Sequence, residues 1–492
     1  MRILFNFALS ILASASAFAQ APTDSITDSW EKELELNEVV VVAKRPVVKQ
    51  QEGKLVYLVK NDPYAKGLDG VSVLDRVPRV SVNNGAVSVA GKGTVRYIID
   101  GILMELDASA MSMRLKSLQA QDIEKIELLT TPPSRYAAEP NAVYISIITR
   151  NETLGTKGNL YGSLSYGDKL REYVSGSVSH TTRKVEMSLD ASVMNHYGTN
   201  DDDVEYIFSD GTPSRLSSTR NKLHLFDAGV NALFRYKFTP NMNIGLIANY
   251  NYETNSNNGT NFTDYGGYSS SSQTTTKSRP NNALTLTGFY DWNFGNKGES
   301  LQLTYNFYHR HSPELSDITT TYSVNSDPYQ VHEDGKSNYR FHSGKADFKL
   351  PYSWAELETG VAYTDILNSS DNSMRYAYGN GTAQNTETNI FDYSERVAAA
   401  YITASRGFGA GFWGKIGLRY EYTWTKGKQI SLSQIDRDNY GHLFPTFNLS
   451  WNKDRIGSFN ISYSMGMGRP NLWELNPFRY LSLIHISEPT RH

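Results

Sequence analysis

The chain has 492 residues, room for two or more domains. Its 48 Lys plus Arg stand against 51 Asp plus Glu, a formal charge of −3 that offers no basic face for nucleic acid, and the absence of cysteine excludes a disulfide framework and a thiolate metal site. Past the first twenty residues no run of about 18 apolar residues occurs, which excludes spanning helices but not spanning strands, whose alternation averages to a polar mean hydropathy such as the −0.46 found here.

In chain order, Arg2, the apolar stretch Ile3 to Leu12 and Ala17-Phe18-Ala19 read as a secretory signal over residues 1–19. Residues 20–46 form a polar, acidic leader carrying Asp24, Asp28, Glu31, Glu33 and Glu35, with no apolar period to build a core. It runs into Leu36, Asn37, Glu38, Val39, Val40, Val41 and Val42, a β-branched segment able to add as a strand to a partner sheet or to open the next domain. Lys44, Arg45 and Pro46 end it.

Residues 47–153 read as a small mixed α+β domain. Strands are expected at Lys54 to Val59, Val87 to Val89, Val95 to Ile99, Ile123 to Leu129 and Val143 to Ile148. Val71 to Val77 reads as a short helix closed by Pro78, residues 107–120 carry helical spacing through Met111, Leu115 and Leu118, and Asp100-Gly101 is a turn.

From residue 154 to 480 strict alternation recurs: Leu301, Leu303, Tyr305 and Phe307 against Gln302, Thr304 and Asn306, and likewise around Val185 to Val193 and Phe459 to Met465. A soluble sandwich alternates too, but it would seal Leu303, Phe307 and Ile461 in a dry centre. Three features favour a transmembrane antiparallel β-barrel. Segments such as Ile244 to Tyr252 and Ile416 to Trp424 are long enough to cross hydrocarbon, and Trp292, Trp424, Trp451, Tyr250 and Tyr252 sit near strand ends like interfacial girdles. Tight turns near 181–183, 239–240, 295–298, 351–352, 407–411 and 452–455 alternate with long polar stretches near 198–221, 253–281, 310–340, 366–392 and 425–440. With strand one at Gly158 to Tyr166, each tight turn falls inside and each long stretch outside, over about thirteen strands ending at Gly457 to Met465.

Several segments, in this order, resemble TonB-dependent receptors, especially the outer-membrane β-barrel family common in Bacteroidetes, over most of residues 36–478. Leu36 to Val42 resembles the TonB-box region. Val73-Leu74-Asp75-Arg76-Val77-Pro78 with Val95 to Asp100 and Gly101, then Glu124 and Glu127 within Ile123 to Leu128, then Pro133-Ser134-Arg135-Tyr136 and Ile147 to Arg150, are similar to the motifs of that family's plug. Gly417 to Thr423, Leu443-Phe444-Pro445, Arg469-Pro470 and Leu475 to Phe478 resemble its barrel signatures. One departure falls after Glu139, where Pro140 and Val143 replace glycines and cannot supply their positive φ.

The resemblance implies a small α+β plug followed by a barrel in the cell outer membrane, with plug and leader on the periplasmic side. Its implied partners are TonB with the inner-membrane energising complex, outer-membrane lipid, the barrel assembly machinery and a substrate the sequence does not name. No cofactor, metal or catalytic residue is implied. Relatives carry barrels of about 22 strands, about nine more than counted here. Leu481 to Arg491 resembles a translated transposase adapter, so residues 481–492 are expected to be foreign and the natural gene to continue past Tyr480.

Inward residues such as Glu186, Asp190, Arg419 and Glu421 are expected to hydrate the lumen or pair with the plug. Asp201, Asp202 and Asp203, or Tyr265 and Tyr268, could bind a cation or stack on a sugar, against a plain solvated loop. Enzyme motifs fail: Gly85 to Gly93 has the wrong spacing for a phosphate loop, His332-Glu333 lacks a second histidine, and no G-x-S-x-G elbow occurs. A non-transporting adhesin or structural barrel is the alternative, and it leaves the plug motifs without a role.

Overall fold

The computed structural model describes residues 46–476 except 84–85, 107, 151–153, 168, 210–213, 266–268, 279, 324, 380–382, 454–455 and 471–474. These lie in the unit Pro46–His492; the signal segment, the leader with Leu36 to Val42, and residues 481–492 lie outside the described residues.

The first part is a small mixed domain. Its strands are Val48–Gln51 (β1), Lys54–Tyr57 (β2), Val80–Asn83 (β3), Ala86–Val89 (β4), Val95–Ile99 (β5), Ile102–Leu103 (β6), Ile123–Leu129 (β7) and Val143–Thr149 (β8). Its helices are Gly70–Leu74 (α1) and Ala108–Ser117 (α2). Six strands form one sheet in the order β1-β2-β7-β8-β5-β6, in which β5 and β8 run parallel, while β3 and β4 pair separately. Two hairpins close through paired positive φ angles, 51° and 75° at Glu52 and Gly53, 49° and 83° at Asp100 and Gly101. That is the two-residue turn that matches strand twist. Asp69 caps α1 by accepting from Ser72 N at 2.7 Å. Val73, Leu74, Leu115, Ile123, Ile126, Leu128, Ile145 and Ile147 fill the core against both helices.

The second part is one antiparallel sheet of fourteen strands. They are Gly155–Tyr166 (β9), Leu170–Thr181 (β10), Val185–Tyr206 (β11), Arg215–Thr239 (β12), Met242–Asp264 (β13), Ser269–Ser278 (β14) and Asn281–Phe294 (β15). Then come Glu299–Tyr322 (β16), Asn325–Pro351 (β17), Glu356–Tyr378 (β18), Ala383–Gly409 (β19), Phe412–Gln429 (β20), Gln434–Lys453 (β21) and Gly457–Ser464 (β22). β14 and β15 both lie between β13 and β16, one above the other, so the fourteen strands make thirteen staves. The break falls at Pro280, which has no N–H to give a ladder. Among the described residues the sheet is open, with β9 and β22 each paired on one side.

The polarity of this wall is inverted relative to a soluble sandwich. Leu303 is 41% exposed and Ile461 50%, Phe307 is half-buried, and the same outward face carries Leu189, Phe234, Leu246, Ile402 and Ile416. The alternate residues Asp190, Asn231, Asn249, Thr287, Asn306 and Thr423 are buried. A face of exposed aliphatic side chains backed by buried amides and carboxylates is uphill in water and downhill where lipid lies outside and a polar filling inside.

One expectation is corrected. The stretches near 198–221, 253–281, 310–340, 366–392 and 425–440 are largely strand, and the connections shrink to 206–215, 264–269, 322–325, 378–383 and 429–434. The apolar outward stripe ends there, but the backbone ladder continues, held by polar cross-strand contacts. Asn261, for example, donates to Ser217 Oγ at 2.9 Å and to Thr219 Oγ1 at 2.8 Å. Loss of alternation marks the end of the belt, not of the strand.

Candidate plug and wall interface

The small domain sits on the polar face of the wall and touches it on two sides. On one side, α2 lies over β10 to β12. Arg114 Nη1 meets Asp190 Oδ2 at 2.7 Å, Ser192 Oγ lies 2.7 Å from Met113 Sδ, and Lys116 Nζ stands 4.5 Å over the Tyr173 ring. Gly229 lies under Met113, where a Cβ would collide with the methionine. On the other side, the loop from Pro133 to Pro140 reaches β17, β20 and β21. Ser134 Oγ and Thr446 Oγ1 are 2.9 Å apart, and Arg419 Nη1 donates to Ser134 O at 3.3 Å. Ala138 N donates to Glu421 Oε1 at 3.4 Å, while Met467 N donates to Ala138 O at 2.9 Å.

Beneath this loop lies a buried ionic cluster. Glu421 accepts from Arg419 at 2.6 Å and from Arg469 at 2.5 Å, and Arg469 approaches Glu395 at 3.3 Å. The four side chains balance in charge, which is what makes their burial tolerable. Tyr136 stacks on Tyr144 with ring centroids 4.6 Å apart, under Lys345 Nζ at 4.5 Å, and Lys345 pairs with Asp347 at 2.7 Å. On the tight-turn side a cavity of about 800 Å³ separates plug from wall, with Lys54, Arg135, Glu127, Lys349, Glu358 and Lys415 in its lining.

The plug-motif residues serve mostly to build the plug. Asp100 accepts from Thr149 N and Thr149 Oγ1, both at 2.8 Å, tying the Asp100-Gly101 turn to the end of β8; Gly101 faces Gln302 of the wall. Glu124 pairs with Lys60 at 2.6 Å. Glu127 holds Lys54 at 2.9 Å and Lys125 at 2.7 Å; burial alone would raise its pKa, but these two ammonium groups hold it below the ordinary value. Pro133 O accepts from Tyr136 N at 3.0 Å, and Arg135 donates to the Tyr136 hydroxyl at 2.7 Å. Of the seven plug-motif residues, Arg135 and Tyr136 lie deepest in the interface, which the motif itself did not announce.

After Glu139 the positive φ lost with the glycines reappears at Asn141, at 54°, since asparagine tolerates the left-handed region that Pro140 and Val143 cannot enter. Gly466 packs on the Pro140 backbone with no room for a Cβ.

Of the inward wall residues, Asp190, Arg419 and Glu421 do reach the plug, whereas Glu186 pairs within the wall, with Arg235 at 2.8 Å. Arg114 and Glu395 escaped the sequence reading, and Arg469 entered it only as part of a barrel signature, because their partners are 76, 74 and 48 residues away and only tertiary packing joins them. Asp201 to Asp203 lie in β11, not in a loop, so successive carboxylates face opposite sides, and Arg220 pairs with Asp203 at 2.9 Å and Asp201 at 3.7 Å. They do not converge on a cation. Tyr265 lies near Arg215, whose guanidinium carbon is 5.7 Å from its ring, and Tyr268 is outside the described residues.

No curated protein matches the chain. Among solved structures it is similar to the siderophore receptor PiuA from Acinetobacter baumannii, at 10% identity and a TM-score of 0.48, over 85% of this chain and 65% of that one. It is also similar to the ferric yersiniabactin uptake receptor FyuA from Yersinia pestis, at 11% identity and a TM-score of 0.34, over 84% and 78% of the two chains. The alcaligin receptor FauA from Bordetella pertussis aligns at 10% identity and a TM-score of 0.34, over 86% and 81%. Residues 292–483 match the model of the outer membrane protein beta-barrel family.

Proposed function

We propose that this chain acts in the cell outer membrane as a TonB-dependent receptor, taking up a substrate past a plug lodged in a β-barrel wall. The observation that carries this reading is the joint polarity of the two parts: aliphatic side chains exposed on the outer face, and a folded domain held on the inner face by buried ion pairs such as Arg114 with Asp190. A plug held by directional polar contacts is seated specifically yet has few apolar contacts to break when pulled. Leu36 to Val42 supplies the pull point in this reading, as an extended strand offered to TonB on the periplasmic side, where the tight turns lie. The candidate substrates are iron chelates, cobalamin-like molecules, glycans and peptides.

The test is uptake in a strain lacking the gene, complemented with the wild type or with residues 36–43 deleted, across iron and glycan sources. The expected result is growth on one source that depends on TonB and on that segment. Unchanged growth of the deletion on every source used by the wild type would sink the reading.

A further inference from the structure

On β20 the outward stripe runs Ile416, Leu418, Tyr420 and Trp424, all 43% exposed or more, and the next two outward residues are Lys426 and Lys428. On β21 the exposed Phe447 and Leu443 give way, in the same direction, to Asn439 and Arg437. On β19 Ile402, Ala400 and Ala398 give way to Arg396. Three neighbouring staves thus turn cationic at or just past the tryptophan: Arg396 stands opposite Trp424 and Arg437 opposite Lys426, while Lys428, one step further, faces the exposed Ile435.

The register makes the arrangement unfavourable by itself. Lys426 stands directly opposite Arg437, and directly opposed like charges weaken a ladder. Among the described residues Lys426, Lys428 and Arg437 make no ion pair. The carboxylates beside these cations are Asp365, 3.7 Å from Arg396, and Asp392, opposite Lys428 and accepting from Ser369; Asp371, further along the same face of β18, is taken up by Lys336 at 3.0 Å. Asp436 and Asp438 alternate to the other face. Four cations therefore meet two carboxylates at the rim of a surface that lipid would cover.

We propose that Lys426, Lys428, Arg437 and Arg396 form a docking patch for the phosphate groups of phosphorylated lipid headgroups in the leaflet on the loop side of the wall. The inference rests on the outer-membrane reading above, and charge complementarity with continuity to the apolar belt commits it to a lipid rather than a soluble anion. The headgroup phosphates sit where the hydrocarbon ends, at the level of Trp424, and each cation there strengthens attachment about five-fold.

The experiment reconstitutes the product of the complete natural gene in phosphatidylcholine nanodiscs with bis-phosphorylated lipid A or with lipid A stripped of its phosphates, and counts retained lipid by native mass spectrometry. Wild type is expected to retain the phosphorylated lipid about a hundred-fold better, and K426Q/K428Q/R437Q to lose that preference. Equal retention of both lipids by the wild type, a comparison that needs no variant, overturns the proposal, as does an undiminished preference in a variant that still inserts. Failure of the wild type to insert, read by protease protection, brings down the outer-membrane reading itself, whereas insertion without phosphate preference brings down the docking patch alone.

Discussion

Arg114 of the plug helix and Asp190 of the wall, 76 residues apart, meet at 2.7 Å, and Asn231 donates to the same carboxylate oxygen at 3.0 Å. Both charged side chains are largely buried, so the pair is a pin between helix and wall. Asp190→Ala leaves a guanidinium without its counter-charge, at a cost of about 3–5 kcal/mol. Hydrogen exchange of Ala108–Ser117 should rise sharply in that variant. Arg114→Met with Asp190→Leu should recover most of the loss, and a double-mutant cycle without coupling would refute the pin.

Glu421 gathers three partners in the interface: Arg419, Arg469 and the backbone of Ala138. Glu421→Ala should therefore loosen the Pro133 to Pro140 loop as well as strand the two cations. We expect increased sensitivity of cells to bulky antibiotics. As a control, Asp371→Asn breaks a solvent-exposed pair with Lys336 and should change stability by less than about 1 kcal/mol, with no leak.

The plug should loosen in acid. Burial would push the Asp62 carboxyl up, but hydrogen bonds from Arg76 and Tyr57 hold it below its ordinary value of 3.8; Glu127 is likewise held below 4.5. Carboxylates depressed in the fold contribute stability that is complete above their unfolded values and is lost as pH falls through the folded ones. Plug exchange rates should thus be flat from pH 7 to about 5 and climb below about 4, with Asp62→Asn removing part of the climb.

Asn141 holds the positive φ that the sequence withheld from Pro140 and Val143. Asn141→Val should cost about 1–2 kcal/mol from backbone strain, while Asn141→Gly should be nearly neutral or slightly stabilising. Chemical denaturation followed by tyrosine fluorescence distinguishes them.

Leu303 and Thr304 are neighbours on opposite faces of β16. Leu303→Lys should lose about 2–4 kcal/mol of membrane-embedded stability if it sits near the bilayer midplane, and Thr304→Lys far less. The folded fraction read from heat-modifiable electrophoretic mobility reports both, and equal effects would contradict the assignment of faces.

Periodicity made the wall legible. The two-residue alternation through Leu301 to Phe307 and Val185 to Val193 is a local property, so the strands, their faces and the tight turns could be read residue by residue. Asp100-Gly101 was legible for the same reason, since only a few dipeptides accept two positive φ angles. The length of the strands past the belt was not, because polar cross-strand contacts such as Asn261 with Ser217 leave no hydrophobic period to read.

By itself the sequence determined which side chains share the apolar outer face and which share the polar inner face, because that follows from the pleat, and it determined where a small α+β domain precedes the wall. Tertiary structure alone decided how the two are joined: Arg114 to Asp190, Ser134 to Thr446, and Arg419 and Arg469 about Glu421. These pairs are separated by up to 312 positions, and polar groups so far apart in the chain carry no mark of each other until folding removes the water between them.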